Sequence, residues 1–134
     1  MSEFQIQTEI IYWAGLVSLT CPELALIYHI PNEGKRSPQY GSMMKKAGLK
    51  SGVPDLFLPV AKKKFHGLYI ELKDGHKKPT KNQLWWLEHL AKQGYRCLVC
   101  ESFGAAVSAI SDYMNIPPGV PITDDDLAGI IEME

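Results

Sequence analysis

Two β-prone runs near the middle of the chain, joined by a short connection, constrain the fold more than any other feature of the sequence. Residues 55–60 (Asp-Leu-Phe-Leu-Pro-Val) are apolar on both faces, as in a strand buried within a sheet, and Pro59 marks where this strand should fray. Residues 68–73 (Leu-Tyr-Ile-Glu-Leu-Lys) alternate, so that Glu71 and Lys73 share one face and the apolar residues the other. The pattern predicts a hairpin.

Helical and strand patterns on either side of the hairpin fit a single domain in a chain of 134 residues. Helices are predicted over residues 4–19, from the cap at Thr80 to the stop at Gly94, and after Ser102, with short strands at 27–30 and 96–100. Residues 43–49 have room for two helical turns in the long glycine- and lysine-rich segment 32–54. The order α-β-β-β-α-β-α predicts an α/β fold with a mixed central β-sheet flanked by helices. Residues 1–115 form the predicted domain, and residues 116–134 an acidic C-terminal tail that looks like a linker.

Charge is distributed unevenly along the chain. Residues 31–81 hold 12 Lys and Arg against four Asp and Glu, a net charge of +8, whereas the remainder has a net charge of −9. A basic stretch of this kind is typical of a protein that binds a polyanion such as nucleic acid. On charge alone, a solvated lysine-rich surface is an equally good interpretation.

The composition excludes several classes of protein. Hydrophobic residues make up 46% of the chain and charged residues 22%, which excludes a disordered or collagen-like protein. No apolar run reaches the roughly 20 residues of a membrane span, and no secretory signal opens the sequence. Three cysteines cannot all pair within one chain, so we expect a reducing, cytoplasmic location.

The hairpin also predicts a cluster of charged side chains. Asp55 opens one strand, and Glu71 and Lys73 close its neighbour, so pairing of the strands brings the three together. Two adjacent carboxylates repel each other unless a cation lies between them, and oxygen ligands with room for water suit Mg²⁺. A lysine beside them can orient an attacking water or offset charge on a phosphate. Gln83 and Glu9 are candidates to join this cluster from the flanking helices. The alternative interpretation of Glu71 and Lys73 is a surface ion pair on an edge strand.

Four motifs in order along the chain resemble the VRR-NUC (virus-type replication-repair nuclease) domain of the PD-(D/E)xK nuclease superfamily. They are Asn-x-Gly-x-Arg at 32–36, Gly-x-Pro-Asp at 52–55, Glu-x-Lys at 71–73, and the downstream Gln83. The resemblance begins at Glu9 in the first helix and covers most of residues 5–115. It implies a restriction-endonuclease-like core and hydrolysis of a DNA phosphodiester with Mg²⁺ or Mn²⁺ as cofactor.

The resemblance also implies roles for single residues. Its catalytic residues map onto Asp55, Glu71, Lys73, Glu9 and Gln83, with Lys73 positioning the nucleophilic water. Its metal ligands map onto Asp55, Glu71, Glu9 and the backbone carbonyl of Leu72. The basic segment would contact the DNA backbone through Asn32, Lys35, Arg36, Lys45, Lys46, Lys50, Lys62, Lys63 and Lys64.

Stand-alone members of this type resemble Holliday-junction resolvases of DNA repair, which act as homodimers because a four-way junction needs two nicks. The resemblance therefore implies a branched-DNA substrate and a bacterial or phage-infected cell. Two alternatives stay open: a general or flap/fork DNA nickase with the same site, and a non-catalytic DNA-binding subunit.

Trp85 and Trp86 are adjacent, so both cannot face the core of the domain. For the tryptophan that is exposed, we prefer a dimer contact as the interpretation, and base stacking is the alternative.

Overall fold

The computed structural model describes residues 1–31, 37–75 and 77–133, which form a five-stranded sheet with helices on both faces. The strands lie side by side in chain order: β1 (Tyr28–His29), β2 (Leu56–Leu58), β3 (Leu68–Leu72), β4 (Arg96–Cys100) and β5 (Ile130–Glu132). β3 and β4 run parallel, and the other neighbours run antiparallel. The mixed sheet flanked by helices is therefore confirmed.

The helices are α1 (Glu3–Val17), α2 (Pro38–Lys46), α3 (Lys81–Lys92), α4 (Phe103–Met114) and α5 (Asp124–Ala128), and a 3₁₀ helix (Pro22–Leu26) follows α1. Each of the five α-helices begins at a Ser or Thr whose hydroxyl accepts a hydrogen bond from the backbone N–H three residues on. α2 begins before the predicted 43–49, because Ser37 caps it and Pro38 suits a first helical turn. Within the described residues, no helix has the length and apolar character to cross a bilayer.

Two cores of unequal size lie on the two faces of the sheet. On one face, α1 and α4 bury Ile10 and Ile110 against strand residues such as Ile70. On the other face, α3 packs Leu87 against Val99 and Cys97 of β4. Since side chains alternate along β3, Tyr69 and Glu71 face the α3 side, opposite Ile70.

The segment after Asn115 folds back onto the domain instead of forming a linker-like tail. β5 pairs antiparallel with β4, and the indole N–H of Trp13 donates to the carbonyl of Pro118 at 3.1 Å. Asp126, the last acid of the acidic run, completes the capping box of α5 by accepting a 2.9 Å bond from the Thr123 backbone N–H, and it accepts another from the Ser102 hydroxyl at 3.0 Å. Apart from the adjacent Ile130 and Ile131, the large apolar residues of this segment stand singly in the sequence and show no period of their own, and those that are covered pack against the rest of the domain.

Two neighbouring isoleucines on β5 test this docking. Ile130 packs against the main core, whereas Ile131 is exposed to 44%. We expect Ile130→Ala to lower the free energy of unfolding by about 1–2 kcal/mol, since the side chain is partly buried, and the matched Ile131→Ala by less than about 0.5 kcal/mol. Urea denaturation measures both; equal, negligible effects would mean that the segment is not docked in solution.

Candidate active site

Asp55 is held at the start of β2 by both neighbouring strands. Its Oδ2 accepts a 2.7 Å hydrogen bond from the backbone N–H of Leu72, at the end of β3. From the other side, the backbone N–H of Ile30 donates to the Asp55 carbonyl at 2.8 Å, and His29 Nδ1 lies 3.2 Å from the same oxygen. The carboxylate therefore has a fixed position beside the last residues of β3.

Glu71 is the buried acid of the site. Its side chain is only 1% exposed, and Gln83 of α3 donates to its Oε2 at a long 3.4 Å. The other oxygen, Oε1, is buried and has no hydrogen-bond partner within the described part of the chain. Buried polar atoms in native proteins nearly always have a partner, and an absent ion is one standard explanation of an exception.

Burial raises the pKa of Glu71 to about 10, and the negative charge of Asp55 adds to the rise. The ammonium of Lys73 opposes it. In the absence of a cation, Glu71 therefore carries a proton at neutral pH. The two neighbouring carboxyls then share a single negative charge and are joined by a hydrogen bond, which also raises the pKa of Glu71.

Lys73 continues the line of β3 and is itself 7% exposed. Its backbone N–H donates to the Cys100 carbonyl at 3.0 Å, so β4 fixes the position from which the side chain starts. The structure thus brings Asp55, Glu71, Lys73 and Gln83 together in one place, at the open end of the β2–β3 hairpin.

The acid that α1 brings to this cluster is Glu3, a residue that the sequence analysis did not select. Glu3 Oε2 accepts a bond from the backbone N–H of Asp74 at 3.2 Å, and its charge also raises the pKa of Glu71. Glu9 is exposed and lines a surface cavity beside Met1. At about 100° per residue, Glu9 lies some 120° around the helix from Glu3. The helical period could have indicated this difference, since Glu3 falls in the buried stripe of α1 and Glu9 falls beside it.

The loop that leads to Asp55 is attached to α3. The side-chain amide of Asn82 donates to the Ser51 carbonyl at 2.8 Å and to the Ser51 hydroxyl at 2.9 Å, and the indole N–H of Trp86 donates to the same carbonyl at 3.0 Å. Gly52 has φ +85°, and a Cβ there would lie 2.7 Å from Asn82 Nδ2. Only glycine fits this close approach, which accounts for the Gly-x-Pro-Asp motif.

The basic residues selected from the sequence fall into three groups. Asn32, Lys35 and Arg36 lie outside the described residues. Exposed lysines on α2 and on the loop before Asp55 form the second group: Lys45, Lys46 and Lys50. The third group lies in the hairpin connection, at the opposite end of the strands from Asp55, and each member contacts a neighbour: Lys62 lies 3.7 Å from Glu23, Lys63 lies 3.6 Å from Asp112, and Lys64 lies over the Phe65 ring.

Comparisons with known proteins agree with this fold. The family model of the VRR-NUC domain matches residues 4–104. A solved structure described as a VRR_NUC domain protein superposes with a TM-score of 0.74 at 30% sequence identity, covering 87% of this chain and 90% of that chain. No curated protein matches the sequence. A family match over most of the chain, together with the shared fold, confirms the resemblance seen in the sequence: the chain belongs to the VRR-NUC domain family of nucleases.

Proposed function

We propose that this nuclease-family domain is a divalent-metal-dependent endonuclease that cuts branched DNA, four-way junctions foremost, as a homodimer. The observation that carries the proposal is the pair of adjacent carboxyls, Asp55 and the buried Glu71, with no N–H donor on Glu71 Oε1 within the described residues and the ammonium of Lys73 beside them. Such an arrangement is costly for a purely structural site, and it is useful for one that takes up a cation.

The donor set fits Mg²⁺ or Mn²⁺. Asp55 and Glu71 offer carboxylate oxygens, and the carbonyl of Leu72 belongs to the residue whose N–H already anchors Asp55. Mg²⁺ commonly binds through one or two carboxylates and completes its shell with water and substrate phosphate. Within the described residues, no group of three or more His, Cys, Asp and Glu side chains forms a ready metal cage, so water and phosphate have to supply the other ligands. We place Glu3, rather than Glu9, beside this pair.

The protein's own residues divide the work of hydrolysis. A bound divalent ion would polarise the scissile phosphate and lower the pKa of a coordinated water. Lys73, buried beside Glu71, is placed to orient the attacking water and to offset charge that develops on the phosphate. The Gln83 amide holds the Glu71 carboxylate in one orientation, and the Leu72 N–H does the same for Asp55.

Metal removal should make the stability of the protein depend on pH. In EDTA, the folded state keeps a proton on Glu71, whose pKa is about 10, whereas the unfolded chain loses it above its ordinary value of 4.5. The contribution of Glu71 to stability is therefore greatest below about pH 4.5 and falls as the pH rises from 5.5 to 8, by at most about 1.4 kcal/mol per pH unit.

Urea denaturation of wild type and Glu71→Gln in EDTA checks this expectation. Glu71→Gln should lose most of the slope, because an amide does not titrate, and added Mg²⁺ should raise the stability of the wild type most at pH 8. The window ends below pH 9 because burial raises the pKa of Cys97 and Cys100 to about 12, so these thiols add a second slope at higher pH. Parallel profiles for the two proteins would exclude Glu71 as the titrating group.

Cleavage depends on the same two carboxylates. We expect Asp55→Asn or Glu71→Gln to reduce the cleavage rate by at least about a thousandfold while leaving DNA affinity within about threefold, since only the metal ligands change. Glu88→Gln, an exposed acid on α3, is the matched control and should cut normally. Cleavage retained by either site variant would remove that residue from the mechanism.

The substrates for this assay are a four-way junction, a splayed fork and a linear duplex of matched length, each with Mg²⁺, Mn²⁺ or EDTA. Paired symmetric nicks in the junction, with a dimeric mass in solution, support the proposal. Cutting confined to the fork or spread over all three DNAs indicates a nickase, and binding without cutting indicates a DNA-binding subunit.

The lysines of α2 should contribute to DNA affinity through the phosphate backbone. Lys45→Ala with Lys46→Ala should weaken junction binding and reduce the slope of log K against log[salt] by about 2, because each lost phosphate contact releases about one counter-ion fewer. Lys63→Ala is the control, since Lys63 pairs with Asp112 at the far end of the hairpin. Fluorescence anisotropy at several salt concentrations measures both slopes; an unchanged slope for the α2 variant places α2 away from the DNA.

A further inference from the structure

An exposed stack of aromatic rings lies on the outer surface of α3. The Trp85 side chain is 50% exposed, and its ring stacks on His89 with centroids 4.0 Å apart and an interplanar angle of 23°. Trp86 meets Trp85 edge-on, with centroids 5.4 Å apart. Trp85 and His89 therefore form a stacked pair at the surface, and Trp86 stands across the pair and is less exposed than Trp85.

Hydrogen bonds hold the supporting rings of this surface in place. His89 Nδ1 lies 2.8 Å from the Trp85 carbonyl, and since a carbonyl only accepts, Nδ1 carries the proton and donates it. The Trp86 indole is fixed by its bond to Ser51. A ligand that stacks on rings already held in this way loses little side-chain entropy on binding.

The aromatic surface adjoins the candidate active site. α3 also carries Gln83, which contacts Glu71, and Trp86 bonds to the loop that leads to Asp55. Successive residues of a helix are about 100° apart around its axis, so the residues that hold this loop and the stacked pair lie within one arc of about 100°: Asn82, Trp85, Trp86 and His89. They therefore share the flank of α3 that faces residues 50–54.

The surroundings of the aromatic surface are basic. On α3, exposed Lys81 lies one turn before Trp85 and exposed Lys92 about one turn after His89, with one exposed acid, Glu88, between them; Lys50 and Lys78 are exposed in the adjoining loops. A polyanion that stacks on the pair would therefore meet more positive than negative charge. A second copy of this chain would instead bring its own lysines against these, which disfavours the dimer contact expected for the exposed tryptophan.

We propose that Trp85, supported by His89, is a stacking site for an unpaired nucleobase of the DNA substrate. Both faces of a base inside a duplex are covered by its neighbours, so this site accepts unpaired bases, as at a fork, a gap or an opened junction. The inference rests on the proposed function. It narrows the expected substrate, since a stacking site selects DNA with an unstacked nucleotide near the bond to be cut.

Binding without cleavage tests the stacking site directly. In EDTA, the affinity of labelled dT10 and of a blunt ten-base-pair duplex is measured by fluorescence anisotropy. Trp85→Ala should weaken dT10 binding about tenfold and duplex binding less than about twofold, because stacking on one aromatic side chain accounts for a difference of that order. Trp85→Phe should retain most of the affinity, and Tyr12→Ala, which removes an aromatic residue 70% exposed on α1, should behave as wild type.

Several results would overturn the stacking site. The proposal is wrong if Trp85→Ala leaves dT10 binding unchanged or weakens the binding of both DNAs equally. Conversion of a dimer to a monomer by Trp85→Ala, seen by size-exclusion chromatography with light scattering while dT10 affinity is intact, would assign Trp85 to a protein interface. The two proposals can fail separately. If the protein binds dT10 through Trp85 but cuts no DNA, the stacking site is supported and the nuclease activity is not. If Trp85→Ala cuts fork and duplex at wild-type rates, the nuclease activity is supported and the stacking site is not.

Discussion

The hydrogen bond from the Leu72 N–H to the Asp55 carboxylate is the contact on which the candidate site depends. It occupies the position next to the last backbone pairs of the β2–β3 ladder, where Leu56 lies opposite Ile70. A one-residue slip would turn Glu71 into the α1–α4 core and bring Ile70 to the α3 face. Because the α1–α4 face of the sheet is packed with apolar side chains, burial of Glu71 there would be costly. The core therefore fixes the register that positions the two carboxylates.

The candidate site is itself unfavourable for folding, and contacts elsewhere in the domain hold it in place. A carboxyl with a pKa of about 10 beside a second acid is a local source of instability, and its oxygen without a partner adds to the cost. The surrounding leucines and the parallel pairing of β3 with β4 offset that cost. Proteins tolerate such conflicts at functional sites, where geometry suited to a bound ion is kept at the expense of stability.

Sequence reasoning located the elements whose signals are local. The alternation of residues 68–73 and the cap at Thr80 each lie within a few residues, and the structure has a strand and a helix there. What it missed depends on long-range contacts. The choice between Glu3 and Glu9 depends on how α1 lies against the sheet, and the docking of residues 116–133 depends on β4 offering an edge. The hairpin lysines appear free in the sequence because partners such as Asp112 are far along the chain.

α3 connects the parts of the site that the sequence shows as separate motifs. Leu87 anchors the helix to Val99, and from that anchor the helix turns Gln83 toward Glu71 and Asn82 toward the loop before Asp55. A displacement of α3 would therefore shift the support of both carboxylates at once. If the proposed DNA contacts the outer flank of the same helix, its binding acts on the element that also supports the two carboxylates. The side chains that hold these carboxylates then need no separate rearrangement when substrate arrives.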